Sequence, residues 1–195
     1  METGPDIIII GAGPSGLVAA LTLLQEGQKV AIYDALPKGQ NSSRAAAVHA
    51  HTLEVPSVGS LLHRLTPLQR LHTLGCAEQL ISKGIKGQGV VNHDRTTPIM
   101  HISLTQYLQG LTEYPFVLFI PQHEVEHLLE EELNGLGVKV RREMRINGME
   151  ASDSKGIKIT FDNGETAQAT YLIGADGSRS TVRFNDAMNN PAETV

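Results

Sequence analysis

Three glycines near the amino terminus have the spacing that lets main-chain amides bind a pyrophosphate. Gly11, Gly13 and Gly16 form a Gly-x-Gly-x-x-Gly pattern, which stands between four isoleucines and an apolar stretch of helical character. The first glycine of such a pattern allows a tight turn, the second lets the backbone approach phosphate, and the third lets the helix pack on the strand. The helix amino terminus adds free N–H groups and a partial positive charge. The predicted contact residues are Gly11, Ala12, Gly13, Pro14, Ser15 and Gly16.

An acidic residue stands where a dinucleotide site needs an acceptor for the ribose hydroxyls. Residues 29–33 are typical of a second strand, and Asp34 ends it, eighteen positions after Gly16. Strand, glycine turn, helix, strand and acid together predict a βαβ unit that binds a dinucleotide, within an α/β fold with a parallel sheet of Rossmann type. The alternative, a glycine-rich turn in an unrelated α/β protein, explains the glycines but not the acid.

The composition restricts the class of protein and of partner. The 195 residues are 41% hydrophobic and 19% charged, values typical of a globular chain. The formal net charge of −5 and the lack of a basic run argue against nucleic acid as a partner. The single cysteine, Cys76, has no internal disulfide partner. This favours a reducing compartment, and we expect a cytoplasmic protein.

The uncharged stretch from Ile7 to Leu24 is as long as a membrane-spanning helix. Glycines at 11, 13 and 16 and the proline at 14 interrupt its middle, and acidic residues precede it where a signal peptide has basic ones. We therefore predict a strand, a turn and a helix here, and no membrane span.

An amphipathic helix is predicted over Gln122–Leu136, with Gly137 ending it and a short strand following at Val138–Val140. The apolar side chains of this helix fall on one stripe at helical spacing: Val125, Leu128, Leu129, Leu133 and Leu136.

Two further segments have a predicted structure. The alanine content of Arg44–Glu54 predicts a helix, and alternating patches within Gln88–Phe119 predict a few strands of a second sheet.

A hairpin is predicted around Asn163-Gly164, because this dipeptide tolerates positive φ at both central positions of a turn. The first strand of this hairpin alternates from Ile157 to Phe161. The partner strand is expected to run to Ile173.

The helix over residues 122–136 also contains a His-Glu-x-x-His sequence, from His123 to His127, which has the ligand spacing of zinc proteases. On a helical wheel both histidines lie opposite the leucine stripe, near Glu130, and face water. A zinc protease turns these histidines toward a shielded metal that has a third ligand. We therefore expect no metal site, and a zinc protease is the remote alternative.

The wider motif pattern resembles a known family of flavoproteins. The glycine pattern continues through Ala20 to Gly27, at the spacing found in FAD-binding flavoproteins. Arg44 and a His-Thr-Leu-Glu segment follow, then Ile-Pro-Gln at 120–122, and then the stretch 171–183 with Gly-Ala-Asp-Gly-Ser-Arg. In this order the motifs resemble the single-component aromatic-ring monooxygenases of the p-hydroxybenzoate hydroxylase type, and the resemblance covers most of the chain.

This resemblance implies FAD as cofactor, NADPH or NADH as reductant, and hydroxylation of an aromatic or polyketide-like substrate. It implies that Asp34, usually a glutamate in relatives, binds the adenosine ribose. It also implies that Arg44 reaches the FAD and that Gln122 lies near the ribityl and pyrophosphate region.

A last motif, Asp176-Gly177, matches one that the family uses for both FAD and the reduced nicotinamide. Arg179 and Arg183 follow closely enough in sequence to meet phosphate charge. No side chain of the chain stands out as a catalytic acid, base or nucleophile.

Members of this family are roughly twice as long and carry a later Gly-Asp-Ala motif and a substrate-binding sheet that this sequence lacks. We therefore expect a truncated flavoprotein. Residues 1–184 would form the FAD-binding domain, interrupted at about 86–119 by part of the substrate-side sheet, and 185–195 an irregular tail. The alternative is a non-catalytic nucleotide-binding module or a truncated gene product. A second polypeptide is a candidate source of the missing half.

The resemblance implies that residues 55–69 are an insertion into a helix that continues in relatives. They contain two prolines and a glycine. A surface loop with a short amphipathic helix explains them, and so does the translation of a retained intron.

Overall fold

The computed structural model describes residues 4–39, 47–48, 71, 74–109, 114–152, 156–178 and 180–183. They form two compact units. The first combines Met1–Asn41 with Leu129–Val195, and the second comprises Ser42–Leu128. The predicted insertion at 55–69 and the predicted irregular tail at 185–195 lie outside the described residues.

A three-stranded parallel sheet is the centre of the first unit. Its strands are β1 (Ile7–Ile10), β2 (Val30–Tyr33) and β11 (Tyr171–Gly174), in the order β11-β1-β2, and helix α1 (Pro14–Gln25) connects β1 to β2. The isoleucines of β1 are at most 7% exposed, as expected for a central strand covered on both faces. The predicted βαβ unit is confirmed, and the uncharged stretch from residue 7 to 24 divides into strand, turn and helix.

The first unit also contains an antiparallel sheet of β8 (Ile146–Ser152), β9 (Gly156–Phe161) and β10 (Thr166–Ala169). In the turn between β9 and β10, Gly164 has a φ of +82°, whereas Asn163 is not among the residues with positive φ. The predicted hairpin is therefore confirmed, although only Gly164 adopts the positive φ that this dipeptide tolerates. The geometry fits a three-residue hairpin loop whose last position is a left-handed glycine.

The partner strand of this hairpin is present, but its predicted extent to residue 173 is wrong, because the chain divides at Thr170. β10 pairs with β9, whereas β11 pairs in parallel with β1. The amides of Thr170 and Tyr171 both point to the carbonyl oxygen of Asp6, at 3.1 Å. One short stretch thus supplies strands to two sheets.

Apolar side chains of both sheets form one core in the first unit. The rings of Tyr33 and Phe161 pack with their centroids 4.8 Å apart. Around them lie buried residues of both sheets and of the segment before β8: Ile8, Ile10, Met144, Ile146, Ile159 and Ala169. This core holds the carboxyl end of β2 in place.

The second unit is built from short strands and helices. Strand β7 (Val117–Phe119) pairs antiparallel with β3 (Ala47–Val48) and β4 (Ile85–Gly87), and β5 (Gly89–Asp94) forms a hairpin with β6 (Thr97–Ser103). Among the described residues of this unit, Ala77–Lys83 form the short helix α2 and Leu104–Leu108 form the short helix α3. The strands expected between residues 88 and 119 are therefore present.

The helix predicted over Arg44–Glu54 is wrong at Ala47–Val48. These two residues pair with β7, so main-chain pairing outweighs the helix propensity of alanine there. The other residues of that prediction lie outside the part of the chain that the structure describes.

Helix α4 (Gln122–Gly135) confirms the predicted amphipathic helix and spans the boundary between the units. Four residues of its predicted stripe are buried, but Leu136 is 55% exposed because the helix ends before it. Val138–Val140 is not a strand; a single bridge joins Arg141 to Tyr33 instead. In the residues described, no helix has both the length and the apolar character needed to cross a membrane.

Candidate functional site

The glycine loop begins where β1 ends, and main-chain contacts fix its first residue. The amide of Gly11 donates to the carbonyl oxygen of Tyr33 at 2.8 Å, and Gly11 has a φ of +103°. A Cβ at this position would lie 2.3 Å from the carbonyl oxygen of Ala175. Only glycine satisfies both conditions, because other residues rarely adopt this φ and have no room for a side chain here.

Gly16 packs α1 directly against the loop. A Cβ on this residue would lie 1.9 Å from the carbonyl oxygen of Gly11, a distance that no side chain can occupy. Gly16 is buried in the first turn of α1 together with Leu17. The packing role predicted for this glycine from the sequence therefore has a direct structural counterpart.

Gly13 differs from the other two glycines because nothing lies near it. A Cβ at Gly13 would meet no atom within 4 Å, and the residue caps α1 in an extended conformation. Pro14 occupies the first turn, which contains no acidic residue. Open space beside Gly13 thus adjoins a helix amino terminus whose first turn carries no negative charge, which suits an anionic ligand.

Asp34 is held by main-chain amides at the end of β2. Its Oδ2 accepts from the amide of Ala12 at 2.7 Å, and its Oδ1 accepts from the amide of Leu36 at 2.8 Å. Each carboxylate oxygen can still accept a further hydrogen bond. The acid predicted for ribose thus touches the glycine loop itself.

A neighbouring arginine, Arg142, was not singled out from the sequence. Its Nη1 lies 3.7 Å from Oδ1 of Asp34, and its Nη2 donates to Oε2 of Glu130 at 2.5 Å. The only sequence signal for it is its place shortly after Val138–Val140, where the sequence predicts a strand.

Asp176 and Gly177 follow β11, next to the glycine loop. The amide of Ala175 donates to the carbonyl oxygen of Ile10 at 2.7 Å, so the carboxyl ends of β1 and β11 lie side by side. Oδ2 of Asp176 accepts from the amides of Thr181 and Val182, at 2.6 and 3.2 Å.

The second carboxylate oxygen of Asp176 has no such partner. Oδ1 is buried, and no described residue donates to it. Buried acceptors are nearly always hydrogen-bonded, so Oδ1 is suited to accept a hydrogen bond from a bound ligand or from another group that is not among the described residues. Gly177 has a φ of +82°, as the turn requires. Arg183 is exposed and donates to the carbonyl oxygen of Ser178, and Arg179 lies outside the described residues.

The remaining predicted residues do not belong to the described part of the first unit. Gln122 begins α4 in the second unit, where its Nε2 donates to Oε1 of the buried Glu126 at 2.6 Å. Arg44 lies outside the described residues. The structure therefore brings together the glycine loop, Asp34 and Asp176-Gly177.

The two histidines of the His-Glu-x-x-His sequence are exposed on α4, as the helical wheel predicts. Glu124 between them pairs with Lys83, with Nζ 2.9 Å from Oε2. This hydrogen bond and the charge of Lys83 lower the pKa of Glu124. Across the described part of the chain, no group of three His, Cys, Asp or Glu residues is placed to hold a metal ion.

Comparison with known proteins decides the family. The family described as "FAD binding domain" matches residues 5–189. This chain belongs to that family. Its cofactor is therefore FAD, and the open space at Gly13 with the adjoining helix terminus fits the pyrophosphate of such a dinucleotide.

Several relatives are named as monooxygenases. The 6-methylpretetramide 4-monooxygenase of Streptomyces rimosus is 34% identical over 187 residues, covering 92% of this chain and 30% of that protein. The rifampicin monooxygenase of Streptomyces venezuelae is 31% identical over 179 residues, covering 91% of this chain and 33% of that protein.

A solved structure supports the fold. The p-nitrophenol 4-monooxygenase of Pseudomonas putida superposes with a TM-score of 0.78 at 23% identity, covering 95% of this chain and 44% of that one. This chain spans about a third of the length of the 6-methylpretetramide 4-monooxygenase and of the rifampicin monooxygenase.

Proposed function

We propose that this chain forms the FAD-binding part of an NADPH- or NADH-dependent monooxygenase that acts on an aromatic or polyketide-like small molecule. The observation that carries the proposal is the contrast between the glycines of the loop. Gly11 and Gly16 are closed off by main-chain atoms, whereas Gly13 faces open space at a helix terminus. Packing alone requires the first two glycines, while a ligand that approaches the backbone explains the third.

The residues of the first unit would hold the ADP half of FAD. The loop Gly11–Gly16 and the amides of α1 would bind the pyrophosphate. Asp34 would accept from the ribose hydroxyls through its remaining lone pairs. Asp176-Gly177, at the same edge of the sheet, would border the bound dinucleotide. The resemblance adds Arg44 and Gln122 as further FAD contacts.

When bound, FAD supplies the redox chemistry, accepting a hydride and activating oxygen. The side chains described here bind and orient, and none of them is proposed as a catalytic acid, base or nucleophile. The names of relatives support an aromatic or polyketide-like substrate, since 6-methylpretetramide and rifampicin stand in those names.

The proposed organisation keeps residues 1–184 as the FAD-binding domain, with part of a substrate-side sheet at about 86–119 and an irregular tail at 185–195. The β5–β6 hairpin supports the middle segment of this proposal. We also propose the cytoplasm as the compartment, since the sequence has a single cysteine, Cys76, and therefore no internal disulfide. A second polypeptide that completes the substrate site is part of the same proposal.

A non-catalytic nucleotide-binding module is the second candidate. It is favoured by the nature of the groups around the loop, which are main-chain amides and hydrogen-bonded carboxylates suited to holding a ligand. Turnover by the purified chain distinguishes this candidate from a monooxygenase.

Two measurements test the FAD site. The purified chain should show a flavin absorption spectrum or take up FAD on reconstitution, and it should bind ADP in a calorimetric titration. Gly13→Val should abolish both without unfolding the chain, because its side chain enters the space left for the pyrophosphate. Gly135→Val is the matched control, since a Cβ there also meets nothing within 4 Å but lies at the far end of α4. Equal ADP affinity in wild type and Gly13→Val would contradict the assignment.

A further inference from the structure

Arg142 lies between two carboxylates beside the proposed ribose site. Its guanidinium contacts Glu130 at 2.5 Å and approaches Asp34 to 3.7 Å. The side chains of Arg142, Asp34 and Glu130 are 16%, 13% and 29% exposed, so most of each side chain is withdrawn from water. If the arginine were removed, two acidic groups would stay in a poorly solvated place without their cation, which is unfavourable.

The backbone around Arg142 is fixed independently of its side chain. The amide of Arg141 donates to the carbonyl oxygen of Ile32 at 2.9 Å. The amide of Asp34 donates to the carbonyl oxygen of Arg141, also at 2.9 Å. The amide of Met144 donates to the carbonyl oxygen of Asp34 at 2.8 Å. A substitution of the Arg142 side chain leaves these main-chain bonds intact, and we expect such variants to fold.

Asp34 connects this network to the glycine loop. Its carboxylate receives amides from Ala12 on one oxygen and from Leu36 on the other, and the guanidinium of Arg142 lies on the Leu36 side. Aspartate is one methylene shorter than the glutamate that the resemblance leads us to expect here. With this shorter reach, the orientation of the carboxylate decides whether its free lone pairs meet a ribose.

We propose that Arg142, itself held by Glu130, is a positioning residue that orients Asp34 toward the hydroxyls of the adenosine ribose. The inference rests on the proposed FAD site. Arg142 acts through Asp34 and does not touch the nucleotide. Its loss should therefore reduce recognition of the ribose hydroxyls specifically, rather than weaken every nucleotide to the same degree.

The test compares ADP with 2′-deoxy-ADP, which lacks one hydroxyl, in calorimetric titrations of the full chain. Wild type should prefer ADP by about tenfold, the order expected for one hydrogen bond to a charged acceptor. Arg142→Ala should reduce this preference to about twofold or less. Arg142→Lys, which keeps the charge but not the forked geometry, should give an intermediate preference. Arg145→Ala is the matched control, because Arg145 faces Asp162 at 3.9 Å on the surface and should keep the wild-type preference.

Each outcome has a separate meaning. A wild-type preference that Arg142→Ala retains overturns the positioning role and leaves the FAD site standing. If wild type binds both nucleotides equally, Asp34 does not read the ribose and the inference fails with it. Absence of ADP binding by wild type overturns the proposed site as a whole. If Arg142→Ala is insoluble, the comparison passes to Arg142→Lys, and a wild-type preference in that variant contradicts the proposal.

Discussion

The carbonyl oxygen of Gly11 lies so close to Gly16 that a Cβ on Gly16 would be only 1.9 Å from it. Gly16→Ala should therefore force the loop and α1 apart and destabilise the chain by about 2 kcal/mol or more. Thermal or urea unfolding measures this loss. Gly13→Ala is the matched control and should cost less than about 1 kcal/mol, because it meets open space at a helix cap. Equal stabilities of the two variants would contradict the close packing at Gly16.

The exposed histidines of α4 should hold no structural or catalytic zinc. His123 and His127 face water, and the buried Glu126 on the same helix is engaged by Gln122. Elemental analysis of protein purified without a histidine tag should find no stoichiometric zinc. One tightly bound zinc per chain that is lost in His127→Ala would show that the metal interpretation is correct.

The ion pair between Lys83 and Glu124 predicts a pH effect of known sign. The pKa of Glu124 lies below its ordinary value because Lys83 donates a hydrogen bond to it and adds a positive charge nearby. The pair therefore contributes stability above the ordinary glutamate pKa and loses that contribution as the pH falls through the lowered value. Lys83→Met should raise the pKa of Glu124 in an NMR titration, whereas Lys139→Met, in the other unit, should leave it unchanged. A Glu124 pKa that is the same in Lys83→Met and wild type would contradict the pair.

The 195-residue polypeptide, reconstituted with FAD and assayed alone, should not hydroxylate a substrate. Productive oxygen transfer requires a flavin shielded from water, and these 195 residues span only about a third of the length of the curated relatives they match. Consumption of NADPH or NADH should therefore yield peroxide rather than product when a panel of phenols is added. Substrate-stimulated turnover with stoichiometric hydroxylated product would show that this polypeptide is sufficient.

The part of the site that depends on local sequence could be predicted, because glycine spacing and an adjoining strand and helix determine it directly. Gly11, Gly16 and Asp34 lie where the pattern places them. The contact between Asp34 and Arg142 could not be predicted, since it joins residues that are distant in the chain and depends on the path of the segment after α4. The sequence around Arg142 does not indicate which carboxylate its side chain contacts.

Errors in the predicted fold have a similar cause. The alanines near residue 47 favour a helix by propensity, but pairing with β7 determines their conformation. The alternating pattern that ends at residue 173 gives no sign of the change of sheet at Thr170, because both strands alternate alike. Local patterns report which residues form strands and not which strands they join.

The division at Thr170 also determines the order in which the first unit can form. The hairpin of β9 and β10 joins residues that are close in sequence and can form early. Pairing of Ile7 in β1 with Tyr171 in β11 requires the chain to be complete up to residue 171. Contacts between such distant positions form slowly, because a long chain must first close into a loop. During synthesis β1 and β2 therefore leave the ribosome long before the third strand of their sheet exists. Until then the edge of β1 that β11 later covers is open to pairing with other chains, and nascent copies of this protein are candidates for chaperone binding.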